Sequence, residues 1–68
     1  MKITYRKEPT GLIHRKVEDG DKITYEGYYW NLNKWVEDET AFNEFTGRSF
    51  DSWPATEEEV NEIIKNHK

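Results

Sequence analysis

Apolar and polar residues alternate at the start of the chain. Ile3 and Tyr5 stand between Lys2, Thr4 and Arg6, the period-two signature of a half-buried strand over residues 2–7. Glu8-Pro9-Thr10-Gly11 then places proline at the second and glycine at the fourth position of a turn, so the chain is expected to reverse there. A second strand over residues 12–17 follows, with Ile13 and Val17 on one face and His14 and Lys16 on the other. Glu18-Asp19-Gly20 marks the next reversal. A three-residue loop with Gly20 left-handed pairs Val17 with Asp21, Arg15 with Ile23 and Ile13 with Tyr25, and so gathers Ile13, Val17, Ile23 and Tyr25 on one face. A two-residue Asp19-Gly20 turn splits these residues between faces, so the three-residue loop is the expected one.

Lys22-Ile23-Thr24-Tyr25 repeats Lys2-Ile3-Thr4-Tyr5, but a single repeated pair does not make a solenoid. The third strand runs through Gly27, read as a bulge, into Tyr28-Tyr29-Trp30, where alternation stops. Asn31-Leu32-Asn33-Lys34 reads as a loop, and Trp35-Val36 as a short fourth strand packing across to Trp30. Asp38 or Thr40 caps a short helix carrying Ala41, Phe42 and Phe45, which Gly47 ends. Residues 48–54 form a connector with Phe50 and Trp53 tucked against the core.

The last element carries the strongest signals. Thr56 and Glu59 make a capping box. Glu57, Glu58 and Glu59 lie at the positive end of the helix dipole and Lys65 and Lys68 at the negative end. Val60, Ile63, Ile64 and His67 share one stripe. The expected fold is therefore α+β: an antiparallel meander sheet of three to four strands, a C-terminal amphipathic helix from about Glu57 to Asn66 packed on one face, and a short helix near residues 40–46. Residues 1–68 are read as one small domain, since a chain of this length has material for one core.

Composition changes this picture in two ways. Hydrophobic residues make up 34% of the chain and charged residues 35%, a balance that leans toward disorder. Three Trp, four Tyr and three Phe offset it, because each packed ring hides roughly 150–250 Å². The absence of cysteine excludes disulfides and thiolate chemistry and fits a reducing compartment. Residues 1–7 have no apolar stretch following their charges, so no secretory signal is expected there, and no run approaches the ~18 apolar residues of a membrane helix. A cytoplasmic location is the expectation.

The net charge of −4 is unevenly distributed. Residues 1–16 set Lys2, Arg6, Lys7, Arg15 and Lys16 against Glu8, a balance of +4, whereas residues 37–62 set nine acids against Arg48, a balance of −8. Such asymmetry bears on partners rather than on fold.

Candidate chemistry is sparse. The glycines at 11, 20, 27 and 47 match no phosphate loop or dinucleotide fingerprint. His14 reads as an exposed strand residue and His67 as a helix-end residue favourable to the dipole, with no triad partner at an interpretable spacing. Neither acidic stretch fits a calcium loop, and two histidines without cysteine fall short of a zinc motif. The chain is expected to be no enzyme and to use no metal or cofactor.

Nucleic acid is disfavoured as a ligand by the pI of 5.1, and a membrane by the lack of a spanning segment. The preferred reading is a small non-catalytic protein-interaction module that occupies another protein's surface. Its candidate binding residues are Tyr28, Tyr29, Trp30, Trp35, Glu37, Asp38 and Glu39, where aromatics and acids meet. The alternative is an acidic nucleic-acid mimic presenting Glu37, Asp38, Glu39, Glu44, Asp51, Glu57, Glu58 and Glu62 to a nucleic-acid-binding protein. Small phage-encoded inhibitors have such compositions, an analogy and not a family resemblance. The third reading is carbohydrate or nucleic-acid binding through the aromatic patch.

Overall fold

A computed structural model describes residues 1–47 and 52–67. Arg48, Phe50, Asp51 and Lys68, which the connector, acidic-surface and dipole expectations invoke, lie outside the described residues. The elements are β1 (Lys2–Lys7), β2 (Ile13–Asp19), β3 (Lys22–Tyr29), β4 (Lys34–Glu37), α1 (Glu39–Phe45), β5 (Trp53–Ala55) and α2 (Glu57–His67). The strands form one antiparallel sheet in the order β4-β3-β2-β1-β5. The fold is α+β with the expected meander, extended by a fifth strand on the outer side of β1. Pro54 is compatible with that strand because it stands at the edge of the sheet, where no further neighbour needs its missing N–H. Arg6 ties down the approach to β5, donating from Nε to the Ser52 hydroxyl at 2.9 Å and from Nη2 to the Ser52 carbonyl at 2.7 Å.

The turns follow their residues. The Gly11 amide donates to the Glu8 carbonyl at 3.0 Å, closing the Pro9-Thr10 turn, and Gly11 has φ +91°. Between β3 and β4 the Leu32 and Asn33 amides both donate to the Tyr29 carbonyl, with Asn33 at φ +55°, a conformation asparagine tolerates.

The β2–β3 hairpin differs from expectation. Asp19 pairs with Lys22, Glu18 with Ile23 and Val17 with Thr24, so the loop is Gly20-Asp21 with Gly20 at φ +62°. This is a two-residue hairpin with glycine at its first central position. It puts Ile23 and Tyr25 on the face opposite Ile13 and Val17, the split that a one-sided sheet penalises. The split is accommodated because each face of this sheet carries a helix.

On the first face Tyr5, Ile13 and Val60 form the buried centre, and Tyr28, Trp30, Trp35, Ala55, Ile63 and Ile64 pack around it. Helix α2 covers this face. Its capping box is reciprocal, the Glu59 amide donating to Thr56 Oγ1 and the Thr56 amide to Glu59 Oε1, both at 3.1 Å. Lys7 from β1 pairs with Glu59, and its ammonium holds that exposed carboxyl below the usual range. His67 stays exposed, yet its ring stacks on Trp30 at 3.8 Å, so the stripe expected from the sequence ends in an aromatic contact.

On the second face sits α1. The Asp38 carboxylate accepts from the Thr40 amide at 2.9 Å, and Gly47 at φ +76° follows the last turn. Ala41 is fully buried, and Tyr25 packs edge-on to Phe42 and obliquely against Phe45. Trp53, expected in the core, is 44% exposed on β5. Among the described residues, no helix is long and apolar enough to cross a membrane.

The two-faced arrangement has a direct mutational consequence. Ile13→Ala removes a side chain that is 1% exposed beneath α2 and is expected to cost about 2–5 kcal/mol, enough to unfold much of a domain this small. Ile23→Ala, at a position 50% exposed on the other face, is expected to change stability by about 0.5 kcal/mol or less. Urea unfolding followed by tryptophan fluorescence measures both. Equal losses would contradict the observed register.

Candidate functional site

The seven residues singled out in the sequence divide between the two faces. Tyr28 and Trp35 are register partners on the α2 face, with ring centroids 5.3 Å apart, and Trp30 packs edge-on to Tyr28 at 5.0 Å. The Arg15 guanidinium lies 4.4 Å from the centre of the Trp35 ring and is held by Glu26 at 2.6 Å. These three aromatics are half-buried members of the core. Tyr29 points to the other face, where its hydroxyl reaches Asp38 Oδ2 at 3.4 Å. Asp38 caps α1, and Glu37 and Glu39 flank it, both exposed. Aromatics and acids that adjoin in sequence therefore do not form one patch.

The chain from Glu37 to Glu39 does line a cleft, together with residues 22–25 and Phe42, Lys22 among them, beside the outer end of α1. Its volume is about 440 Å³. Ile23 is 50% and Phe42 38% exposed, so the cleft combines accessible apolar surface with three carboxylates and the one ammonium of Lys22. The acids of α1 and those of α2 stand on opposite faces of the sheet and make two separate surfaces.

A second constellation lies beneath α1, and sequence reasoning missed it. Glu8 begins the first turn and His14 is the second residue of β2, and the β1–β2 register brings them to one end of the sheet on its α1 face. Helical spacing does the rest. Ala41, Glu44 and Phe45 occupy one stripe at i, i+3 and i+4, so the stripe that buries Ala41 also buries Glu44. His14 Nδ1 lies 2.8 Å from Glu44 Oε2 and 3.4 Å from Glu8 Oε2. Only 4% of the His14 side chain and none of the Glu44 side chain is exposed.

His14 is thus buried, contrary to its expected exposure, because α1 covers the face to which it points. The 2.8 Å approach lacks hydrogen-bond alignment, and neither His14 Nδ1 nor the Glu44 carboxyl oxygens make an aligned hydrogen bond, although the Glu8 and Ser52 side chains stand near enough to Glu44 to shift its titration. Glu8 Oε1 accepts from the Thr10 hydroxyl at 3.2 Å, which leaves Oε2 toward His14. The signal available in the sequence was an acid three residues after a buried alanine.

Gly27 admits this arrangement. It runs in continuous register between His14 and Val36, so it is no bulge. A Cβ there would stand 2.7 Å from Asp38 Oδ2 and 2.9 Å from His14 Cδ2. The position needs glycine because the imidazole and the capping carboxylate close over it from both sides.

Burial pushes the Glu44 carboxyl up to about 8, reinforced by Glu8, while Ser52 and Arg6 oppose the shift. Burial also lowers His14, against the pull of Glu8 and Asp38. Comparison with protein-family models, curated proteins and solved structures finds no match to this chain.

Two expectations follow. Raising Glu44 in the folded state gives stability that is complete below the ordinary carboxyl value of 4.5 and is lost as pH rises toward 8. Lowering His14 gives stability that is complete above 6.5 and is lost as pH falls through the depressed value. The two slopes oppose each other just below pH 6.5, and Glu44 acts alone above it. The protein is expected to lose about 1–2 kcal/mol between pH 6.5 and 8, and Glu44→Gln to flatten that decline in chemical denaturation. Gly27→Ala is expected to cost about 1–3 kcal/mol and to loosen α1, read as faster amide exchange over residues 41–46.

Proposed function

We propose that the protein is a non-catalytic interaction module that binds a basic, apolar segment of another protein in the cleft beside α1. The observation that carries this reading is the pairing of exposed Ile23 and Phe42 with the carboxylates of residues 37–39 around one concavity. An apolar side chain of the partner fills the cleft and excludes water, which supplies affinity. A neighbouring lysine or arginine of the partner meets Glu37 or Glu39 at the rim, which supplies orientation and association rate more than binding energy. The aromatic residues 28, 30 and 35 contribute indirectly, holding β3 and β4 in the register that shapes the cleft. The nucleic-acid-mimic reading gains no specific support, since the acids of the two helices face away from each other.

Selection of displayed random peptides on the immobilised protein tests the proposal. The expected winners place a bulky apolar residue beside lysine or arginine. Their binding is expected to weaken about tenfold or more in Ile23→Asp and to fall as salt rises, while Leu12→Asp, at the opposite end of the sheet, leaves it unchanged. Winners of acidic composition, or winners that bind Ile23→Asp as well as the parent protein, would contradict it.

A further inference from the structure

We infer that Glu8, His14 and Glu44 form a binding site for one divalent transition-metal ion, with zinc as the ion that best suits the donors. One ligand atom from each residue lies within 4.8 Å of the others. For donors about 2.0–2.1 Å from a tetrahedral zinc, neighbouring ligand atoms stand about 3.3 Å apart. The His14 Nδ1 separations of 2.8 Å from Glu44 and 3.4 Å from Glu8 bracket that spacing, so small side-chain adjustments admit the ion.

Clusters of acids are common on protein surfaces without being sites. This one is distinguished by burial and by unmet bonding capacity. Glu44 is fully enclosed with neither carboxyl oxygen in an aligned hydrogen bond, its side-chain neighbours being Glu8 and Ser52, and the enclosed Nδ1 of His14 stands 2.8 Å from it without aligned geometry. Buried polar atoms are satisfied in the great majority of folded proteins, so three enclosed atoms without an aligned hydrogen bond, gathered at one place, mark where a ligand fits. Two carboxylates and a neutral imidazole also balance a charge of +2, a composition with no excess charge to bury.

The donor chemistry narrows the ion. Calcium and magnesium take six or more oxygen ligands, and an imidazole nitrogen suits them poorly. Without thiolate or thioether donors the site does not select copper(I). One nitrogen and two oxygens suit zinc, which leaves a fourth position for water. The ion would join the β1–β2 turn, β2 and α1, and so fasten the second-face helix to the sheet in a chain that has no disulfide. Coupling of this kind makes metal binding a source of folding stability.

Titration of chelator-treated full-length protein with zinc at neutral pH, read by calorimetry and by the thermal midpoint, tests the site, with cobalt(II) absorption reporting ligand geometry. One equivalent is expected to bind and to raise the midpoint. Glu44→Gln keeps the side-chain shape and is expected to weaken binding by about 100-fold or more, with circular dichroism confirming its fold, since even second-sphere changes cost about 10–100-fold. His14→Ala is expected to abolish binding and His67→Ala to leave it unchanged. The inference is overturned by the absence of saturable binding up to about 1 mM zinc, by binding that survives in folded Glu44→Gln, or by binding that depends on His67.

Discussion

The close seating of α1 on the second face of the sheet depends on an absent side chain. Gly27 lets the His14 ring and the Asp38 carboxylate approach the same point of β3 from opposite sides. Asp38 caps α1, and one stripe of that helix then brings Ala41 and Glu44 down onto the sheet. With α1 in place, the sheet has two covered faces, and the chain's sparse apolar residues can be divided between them. The short Gly20-Asp21 hairpin is consistent with this division, since its register is tolerable only where Tyr25 on the second face meets Phe42 and Phe45.

The two faces are built in different ways. Beneath α2 the packing is aromatic, with Tyr5, Tyr28, Trp30 and Trp35 in contact around Ile13 and Val60, and rings compensate for a small number of aliphatic side chains. Beneath α1 the space near the first turn is filled by a carboxyl and an imidazole in place of apolar side chains. A purely structural contact there would be served as well by leucine, which leaves no polar atom unsatisfied. This buried polar pair is the basis of the proposed metal site, and the apolar and acidic cleft at the outer end of the same helix is the proposed docking surface. One short helix thus shapes both places where chemistry is concentrated.

Local rules were the legible part of the sequence. The Pro9–Gly11 turn, the Asn33 loop, the Asp38 cap and the Thr56–Glu59 box each depend on residues a few positions apart, and each forms as its chemistry dictates. What escaped were consequences of distant contact. The second-face helix cannot be inferred from strand alternation alone, and without it Ile23 and Tyr25 read as belonging with Ile13. His14 likewise reads as exposed until Glu44, thirty residues on, is known to close over it. Trp53 and Pro54 read as a connector because a three-residue edge strand is too short to show a period. Tyr28, Trp30 and Trp35 were candidates for an interface because their partners in packing, above all Val60 and His67, lie at the far end of the chain.

The seating of α1 encloses a carboxyl group between helix and sheet. Carbon-detected NMR titration of the Glu44 side chain in metal-free protein observes that group directly. A midpoint near 8 is the expected result. A midpoint at the ordinary carboxyl value of 4.5 would place Glu44 in water and contradict the seating of α1 on which the fold's second face and its candidate site depend.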